Sequence, residues 1–316
     1  QGAFANTSAE INCSASSGEV NIPEGVEYIG DRAFAGCEME SLYIPCSVKI
    51  IERGAFKDCK NLKEVNDNEN TEGPRIVNIP EGVERIGGSV SGCGRNIIGV
   101  FEGCSEINMV NLPRSLKRIE QGAFANTSAE INCSAGSGKI NIPDGVECIG
   151  ASAFENCSGI NSINFSGNVK TIAKRAFANC INLVLVNATE DSKNVNIPDG
   201  VECIGKSAFE ECWKIKSVNI PASVRVIGAN AFKFCFIENF IISPDSCLEK
   251  VSSDFLGFEW VKTVNIYVHC GDNEAEEKRL TTMLEKAPSP KRSVKIINHP
   301  YESGRCLATD NNCGEF

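Results

Sequence analysis

The stretch Cys212-Trp-Lys-Ile215-Lys-Ser-Val218-Asn219-Ile220-Pro221-Ala-Ser-Val224-Arg-Val-Ile227-Gly228-Ala-Asn-Ala231-Phe232-Lys-Phe-Cys235 decides the fold. Val218-Asn219-Ile220 alternates apolar, polar, apolar, which is the pattern of a half-buried strand. Pro221 ends that strand, because proline has no N–H to offer a neighbouring strand. The segment from Val224 to Phe232 then brings the chain round the far side of a coil, back to the next Cys. A single unit of this size cannot bury its own Ile, Val and Phe side chains. Stacked units bury them in one continuous core.

The same spacing recurs along the chain. Its Phe position is filled by Phe4, Phe34, Phe56, Phe101, Phe124, Phe154, Phe177, Phe209, Phe232 and Phe255, with Val90 as a degraded extra copy. From Phe124 the intervals run 30, 23, 32, 23 and 23 residues, and the array reads as about 10–11 repeats in which long and short units alternate. Long units follow their strand with Pro-Glu/Asp-Gly-Val-Glu, at Pro23, Pro80, Pro143 and Pro198. Short units read Pro45-Cys-Ser-Val, Pro113-Arg-Ser-Leu, Ser166-Gly-Asn-Val and Pro221-Ala-Ser-Val. Residues 1–15 recur unchanged at 121–135, so the unit of duplication reads as a pair of repeats. The extra residues of long units, such as 66–74 and 187–193, are polar and are expected to leave one face of the array as loops.

The Ile-Pro-x-x-Val-x-x-Ile-Gly-x-x-Ala-Phe-x-x-Cys segments resemble the BspA-like, or Treponema-type, leucine-rich repeat family over about residues 1–268. The resemblance implies a curved α/β-type repeat solenoid with a parallel sheet along its concave side. It also implies cell-surface or secreted, adhesin-like proteins that bind host proteins or other cells. The sequence departs from the pattern at Val90, at Thr7 and Thr127, where Thr replaces Cys, and over 236–258. The chain opens mid-repeat, as a fragment would.

Beyond the array, 263–268 reads as a last strand, and 269–301 as a cap made of a helix from about Asp272 to Lys286 and a strand over Ser293–Ile297. Such a cap covers the open end of a solenoid. The tail 302–316, with Gly304 and Gly314, reads as flexible.

Lys+Arg 31 against Asp+Glu 41 gives a net charge of −10, which argues against nucleic acid or an anionic membrane as partner. No apolar run is long enough to span a bilayer. Two His residues leave little material for general-base catalysis, and no cofactor or metal is expected. His269, Cys270 and His299 supply three soft ligands where zinc needs four, and Asp67-x-Glu69 lacks the spacing of a calcium loop. Of the 17 cysteines, Cys37, Cys59, Cys104, Cys157, Cys180, Cys212 and Cys235 follow the repeat Phe by three residues, as Cys93 follows Val90. Stacked equivalents point the same way, so they are expected to be buried thiols rather than bridges. Cys306 and Cys313 are the pair most suited to oxidation. Asn6, Asn12, Asn126, Asn132, Asn156, Asn164 and Asn187 begin Asn-x-Ser/Thr triplets, which matter only in a secreted eukaryotic chain.

The polar strand position is Asn in eight units: Asn21, Asn78, Asn111, Asn141, Asn164, Asn196, Asn219 and Asn265, interrupted by Tyr43 and Ile241. Strand alternation turns it away from the core. Asn is depleted in strands, so the row needs a reason: an amide ladder between repeats, a recognition surface, or both. In the next row Ile76 and Met109 are apolar points on a neutral polar surface. The candidate binding residues are therefore Tyr43, Ile76, Asn78, Met109, Asn111, Asn141, Asn164, Asn196 and Asn219, with Tyr43, Ile76 and Met109 expected to form one patch. A broad surface of this kind suits a protein or glycan better than small-molecule catalysis. The reading is a non-enzymatic binding module whose concave sheet and adjoining long-unit loops contact a protein or glycan. A structural spacer displaying another domain is the alternative, and a thiol enzyme acting through a residue such as Cys270 is the remaining one.

Overall fold

A computed structural model describes residues 18–66, 75–88, 97–127, 130–131, 138–165, 167–187, 195–243, 248–252, 255 and 265–268, with Lys278 and Thr282. These residues form a repeat solenoid with two strand-bearing faces, every named strand pairing in parallel with its neighbours. On the asparagine face a six-stranded sheet runs from Glu19–Asn21 to Glu130–Ile131, and a seven-stranded sheet runs from Lys139–Asn141 to Asn265–Val268. The far side is also a sheet. Nine two-residue strands, from Tyr28–Ile29 to Lys250–Val251, pair without a break. The sequence reading took this segment as a connection only.

The long units differ from the expected plan. Glu64–Val65 and Leu185–Val186 are additional strands on the asparagine face, inserted between Ser41–Tyr43 and Ile76–Asn78, and between Ser162–Asn164 and Val195–Asn196. The extra residues of a long unit therefore carry the chain from one strand of that face directly to the next, without a passage through the far sheet. The loops proper, 67–74 and 188–194, lie outside the described residues. In the sequence-irregular segment 236–258, Asn239–Ile242 and Lys250–Val251 continue both sheets, and Phe255 joins the core.

Phe rings fill the centre. Phe34, Phe56 and Phe101 stack at 5.6 and 5.5 Å, and Phe124, Phe154, Phe177, Phe209 and Phe232 stack at 5.1–5.4 Å. All are buried, and each removes its ring from water for roughly 1.5–3 kcal/mol. The corner around each Phe is tight. Residues two before and two after it take positive φ, as at Arg175 (56°) and Asn179 (60°) around Phe177; at Phe101 only the residue after, Gly103, does so. That bend aims alternate backbone N–H groups along the array, so Phe177 N donates to Ala208 O and Asn179 N to Glu210 O.

The corner also explains the cysteines. The Cys59 thiol donates to Phe34 O at 3.0 Å, and Cys104, Cys157, Cys180, Cys212 and Cys235 each repeat this bond to the Phe carbonyl of the preceding unit. Burial raises the pKa of Cys180, Cys212 and Cys235, and pushes Cys157 up to about 12, so these are neutral thiols. Six of the seven described Phe-x-x-Cys residues are free, as expected. Cys37 departs from the expectation and is disulfide-bonded, as is Cys203 on the far sheet. Cys93, Cys306 and Cys313 lie outside the described residues.

Long and short turns are complementary. Gly82 N donates to Ser115 Oγ at 2.9 Å, and that hydroxyl donates to Val83 O. Gly25 with Ser47, and Gly200 with Ser223, repeat the pair. Gly82 sits at φ 112° over the Cys46 carbonyl, which leaves no room for a Cβ. In these three long units the glycine meets the serine of the short unit after it; after Gly145 that place is taken by Asn168, whose Nδ2 donates to Asp144 O.

Of the cap expected at 269–301, only Lys278 and Thr282 are described, both helical. The tail, His269, Cys270, His299 and Asp67–Glu69 lie outside the described residues. No helix among the described residues is long and apolar enough to cross a membrane.

Candidate functional site

The asparagine row is an amide ladder. Asn111 Nδ2 donates to Asn78 Oδ1 at 2.8 Å, Asn164 Nδ2 to Asn141 Oδ1 at 2.9 Å, and Asn219 Nδ2 to Asn196 Oδ1. Every donor points to the preceding unit. Two rungs escaped the sequence reading because the long-unit strands did. Register places Asn66 and Asn187 in the row, opposite Tyr43 and Asn164. The amide of Asn66 brackets Ile44, accepting from its N at 2.7 Å and donating to its O at 2.8 Å, while Asn187 Oδ1 accepts from Phe165 N. Asn78 and Asn196 donate to their backbone carbonyls. The signal in the sequence was Val65-Asn66 and Val186-Asn187 at the head of each insertion.

Other placements need correction. Asn265 pairs with Asn239, so it belongs to the neighbouring row, and Tyr267 stands opposite Ile241 in the asparagine row. Tyr43 is therefore not that row's single aromatic. Tyr43, Ile76 and Met109 do not form one patch: the strand Glu64–Val65 separates Tyr43 from Ile76, about 9–10 Å at sheet spacing. Ile76 is half-buried, and Met109, opposite it, is 8% exposed. Met109 packs rather than protrudes. Tyr43 is 41% exposed, and its hydroxyl donates to the Glu24 carboxylate at 3.2 Å, which raises its pKa.

A second amide ladder runs at the Phe corner. Asn179 Nδ2 donates to Asn156 Oδ1, Asn156 Nδ2 to Asn126 Oδ1, and Asn126 Nδ2 to Glu102 Oε2, at 2.8, 2.7 and 3.1 Å. The glycosylation-type residues Asn126, Asn156 and Asn164 thus have committed amide nitrogens.

Immediately before each far-sheet strand stands a charge, and the signs alternate along all nine: Glu27, Lys49, Glu84, Lys117, Glu147, Lys170, Glu202, Arg225, Glu249. Consecutive backbones bond in that order, from Lys49 N to Glu27 O through Glu249 N to Arg225 O. Lys117 Nζ reaches Glu84 at 2.9 Å and Arg225 reaches Glu249 at 3.6 Å. Opposite charges side by side favour this register, and a slip by one unit would stack like charges.

Two surface features remain. Ile181, Trp213 and Phe236, each just after a repeat Cys, are 37%, 52% and 50% exposed on three consecutive units. An open cavity of about 540 Å³ lies where the C-terminal amide ladder meets the proline turns, lined by Asn187, Asn196, Asn219, Pro198, Pro221, Ile241 and their neighbours. Among the described residues no group of three His, Cys, Asp or Glu is placed to hold a metal.

The chain matches the model of the BspA type leucine rich repeat region, with six copies, over residues 6–73, 75–194, 131–243 and 186–272. No curated protein matches it. Among solved structures, a leucine-rich repeat protein from Bacteroides ovatus is 23% identical, with 89% of this chain and 70% of that chain covered and a TM-score of 0.54. A leucine rich cell surface protein from Faecalibacterium prausnitzii is 19% identical, covering 74% of this chain and 91% of that one, with a TM-score of 0.32. The Treponema pallidum leucine rich repeat protein is 20% identical, covering 62% and 82%, with a TM-score of 0.35.

Proposed function

Because this chain belongs to the BspA-type leucine-rich repeat family, we propose that it is a non-enzymatic, adhesin-like interaction module, displayed on a cell surface or secreted. It binds a protein or glycan partner, on a host or another cell, through the asparagine face. The observation that carries the reading is the ladder itself. A long polar surface is fixed by its own hydrogen bonds, so a partner meets side chains already held in place, and binding orders few of them. The exposed Tyr43 supplies an aromatic contact near the N-terminal end of that face, where interface energy concentrates. The disulfide-bonded Cys37 and Cys203 suit an oxidising compartment.

Cell-adhesion and pull-down measurements test this. Tyr43→Ala is expected to weaken binding at least tenfold, roughly 1.4 kcal/mol, with the melting temperature unchanged. Retained binding in that variant would move the contact elsewhere. Met109, being buried, is no longer a useful probe of the surface.

A further inference from the structure

Beside the repeat Cys, the surface changes character along the array. The residue after it is Glu38, Lys60, Ser105 and Ser158 in earlier units, then Ile181, Trp213 and Phe236 in three consecutive ones. Trp213 and Phe236 are half exposed, and their flanks carry charges whose signs reverse from one unit to the next. Glu211 precedes Trp213 and Lys216 follows it; Lys233 precedes Phe236 and Glu238 follows it. The two units lie side by side: Glu211 N donates to Lys233 O at 2.8 Å, and Lys216 Nζ lies 3.6 Å from Glu238. Phe234 adds an aromatic at φ 61°, a backbone conformation that bulky residues rarely take and that Gly36 and Asn179 fill in other units. The Lys233 ammonium lies over its ring, 4.9 Å from the centroid.

We propose that this row is a self-association surface, covered by the same row of a second copy of this chain. The charge pattern selects that partner. A two-fold axis lying in the contact plane, between the two units and across the stack, sets the unit of Cys212 against the partner's unit of Cys235. Trp213 then covers the partner's Phe236, Lys216 meets the partner's Glu238, and Glu211 meets the partner's Lys233. Each contact is made twice, aromatic meets aromatic, and these charges meet their opposites. Exposed aromatics at the centre of a contact carry most of its energy. The row is short, however. At half of the roughly 150–250 Å² that an aromatic side chain can bury, Trp213 and Phe236 offer about 100 Å² each, against about 800 Å² per partner in a standard interface. The dimer is therefore weak and concentration-dependent. It uses none of the asparagine-face residues, and it joins two such faces in one assembly, which strengthens the hold on any surface that carries many ligands.

The test is sedimentation velocity on the 316-residue chain at low salt, from about 1 μM to about 1 mM. The parent chain should shift from monomer toward dimer across that range. Trp213→Ser should stay monomeric with an unchanged melting temperature, and Tyr43→Ala should associate like the parent. Lys216→Glu and Glu238→Lys should each weaken self-association about tenfold, because like charges then face each other across the axis. An equimolar mixture of these two variants should regain the parent's dimer. The two substituted positions then oppose each other with opposite signs, as do the native Glu238 of one chain and the native Lys216 of the other. Mixing cannot mend an ion pair lost within one chain, so recovery reports the contact between chains. The proposal is overturned if the parent stays monomeric throughout, if Trp213→Ser associates like the parent, or if the mixture stays as weak as either variant alone.

Discussion

The sheet that ends at Glu130–Ile131 and the sheet that begins at Lys139–Asn141 are built from one unit, yet the stack does not run through from one to the other. Among the described residues no ring contact joins Phe101 to Phe124, although the rings on either side stack at 5.5 and 5.4 Å. At that place Thr127 occupies the position of the repeat Cys, buried at 4% exposure with its hydroxyl unpartnered. One unit later, Cys157 makes the bond that Thr127 lacks, to Phe124 O. The far sheet crosses the same place unbroken, through Arg118–Ile119 and Cys148–Ile149. Ring stack and corner bond fail together between Phe101 and Phe124, while the asparagine sheet still crosses that step through Met109–Asn111 and Glu130–Ile131, and the charge-alternating far sheet crosses it through Arg85–Ile86 and Arg118–Ile119.

Alkaline pH should weaken the C-terminal block more than the N-terminal one, where of the two free repeat thiols described Cys104 is raised and Cys59 lowered. Cys157, Cys180, Cys212 and Cys235 all lie in the C-terminal block and all have raised pKa values through burial. A thiol raised on folding contributes fully below its unfolded pKa of about 8.5 and loses that contribution as pH climbs toward the folded value. Denaturant midpoints should therefore fall steadily from pH 8 to 11, by less in a variant with all four replaced by alanine. A flat profile would mean that the thiols are not buried as described.

Phe177→Ala should cost about 3–5 kcal/mol, since the ring stacks on both Phe154 and Phe209 and meets Phe165 edge-on. Phe101→Ala, with Phe56 as its one ring neighbour among the described residues, should cost less in the same urea titration. Equal losses would show that ring stacking adds nothing to burial.

Thr127→Val should raise stability by about 1–3 kcal/mol, the cost of a buried unsatisfied hydroxyl. If the melting temperature falls instead, the hydroxyl has a partner and the seam is not a defect.

Lys117→Glu should be the mildest change. It places three carboxylates in succession on the far sheet, Glu84, residue 117 and Glu147, and should cost about 0.2–1 kcal/mol, most at low salt. Insensitivity to salt would remove the charge row from the account of register.

Much of the fold was legible. The Phe spacing located the core, and the Val-Asn-Ile alternation located one strand per unit, because burial with period two leaves a direct trace in sequence. The far strands left almost none: two residues such as Tyr28–Ile29 are too short to alternate, and they become strands only when a neighbouring unit supplies hydrogen bonds. The extra long-unit strands hid for the same reason, and with them went Asn66, Asn187 and the separation of Tyr43 from Ile76. The candidate surface was half legible. Asparagine at one strand position predicted the ladder, but only the register between units decides which amide faces which.

By itself, then, the sequence determined the repeating coil, its Phe core and the reduced state of most corner cysteines, since each follows from spacing within one unit. Tertiary structure alone decided that Met109 is buried and that Phe101 and Phe124 part company. Those outcomes depend on what lies about 4.8 Å away on the next unit, a distance that stacking sets and chain order does not.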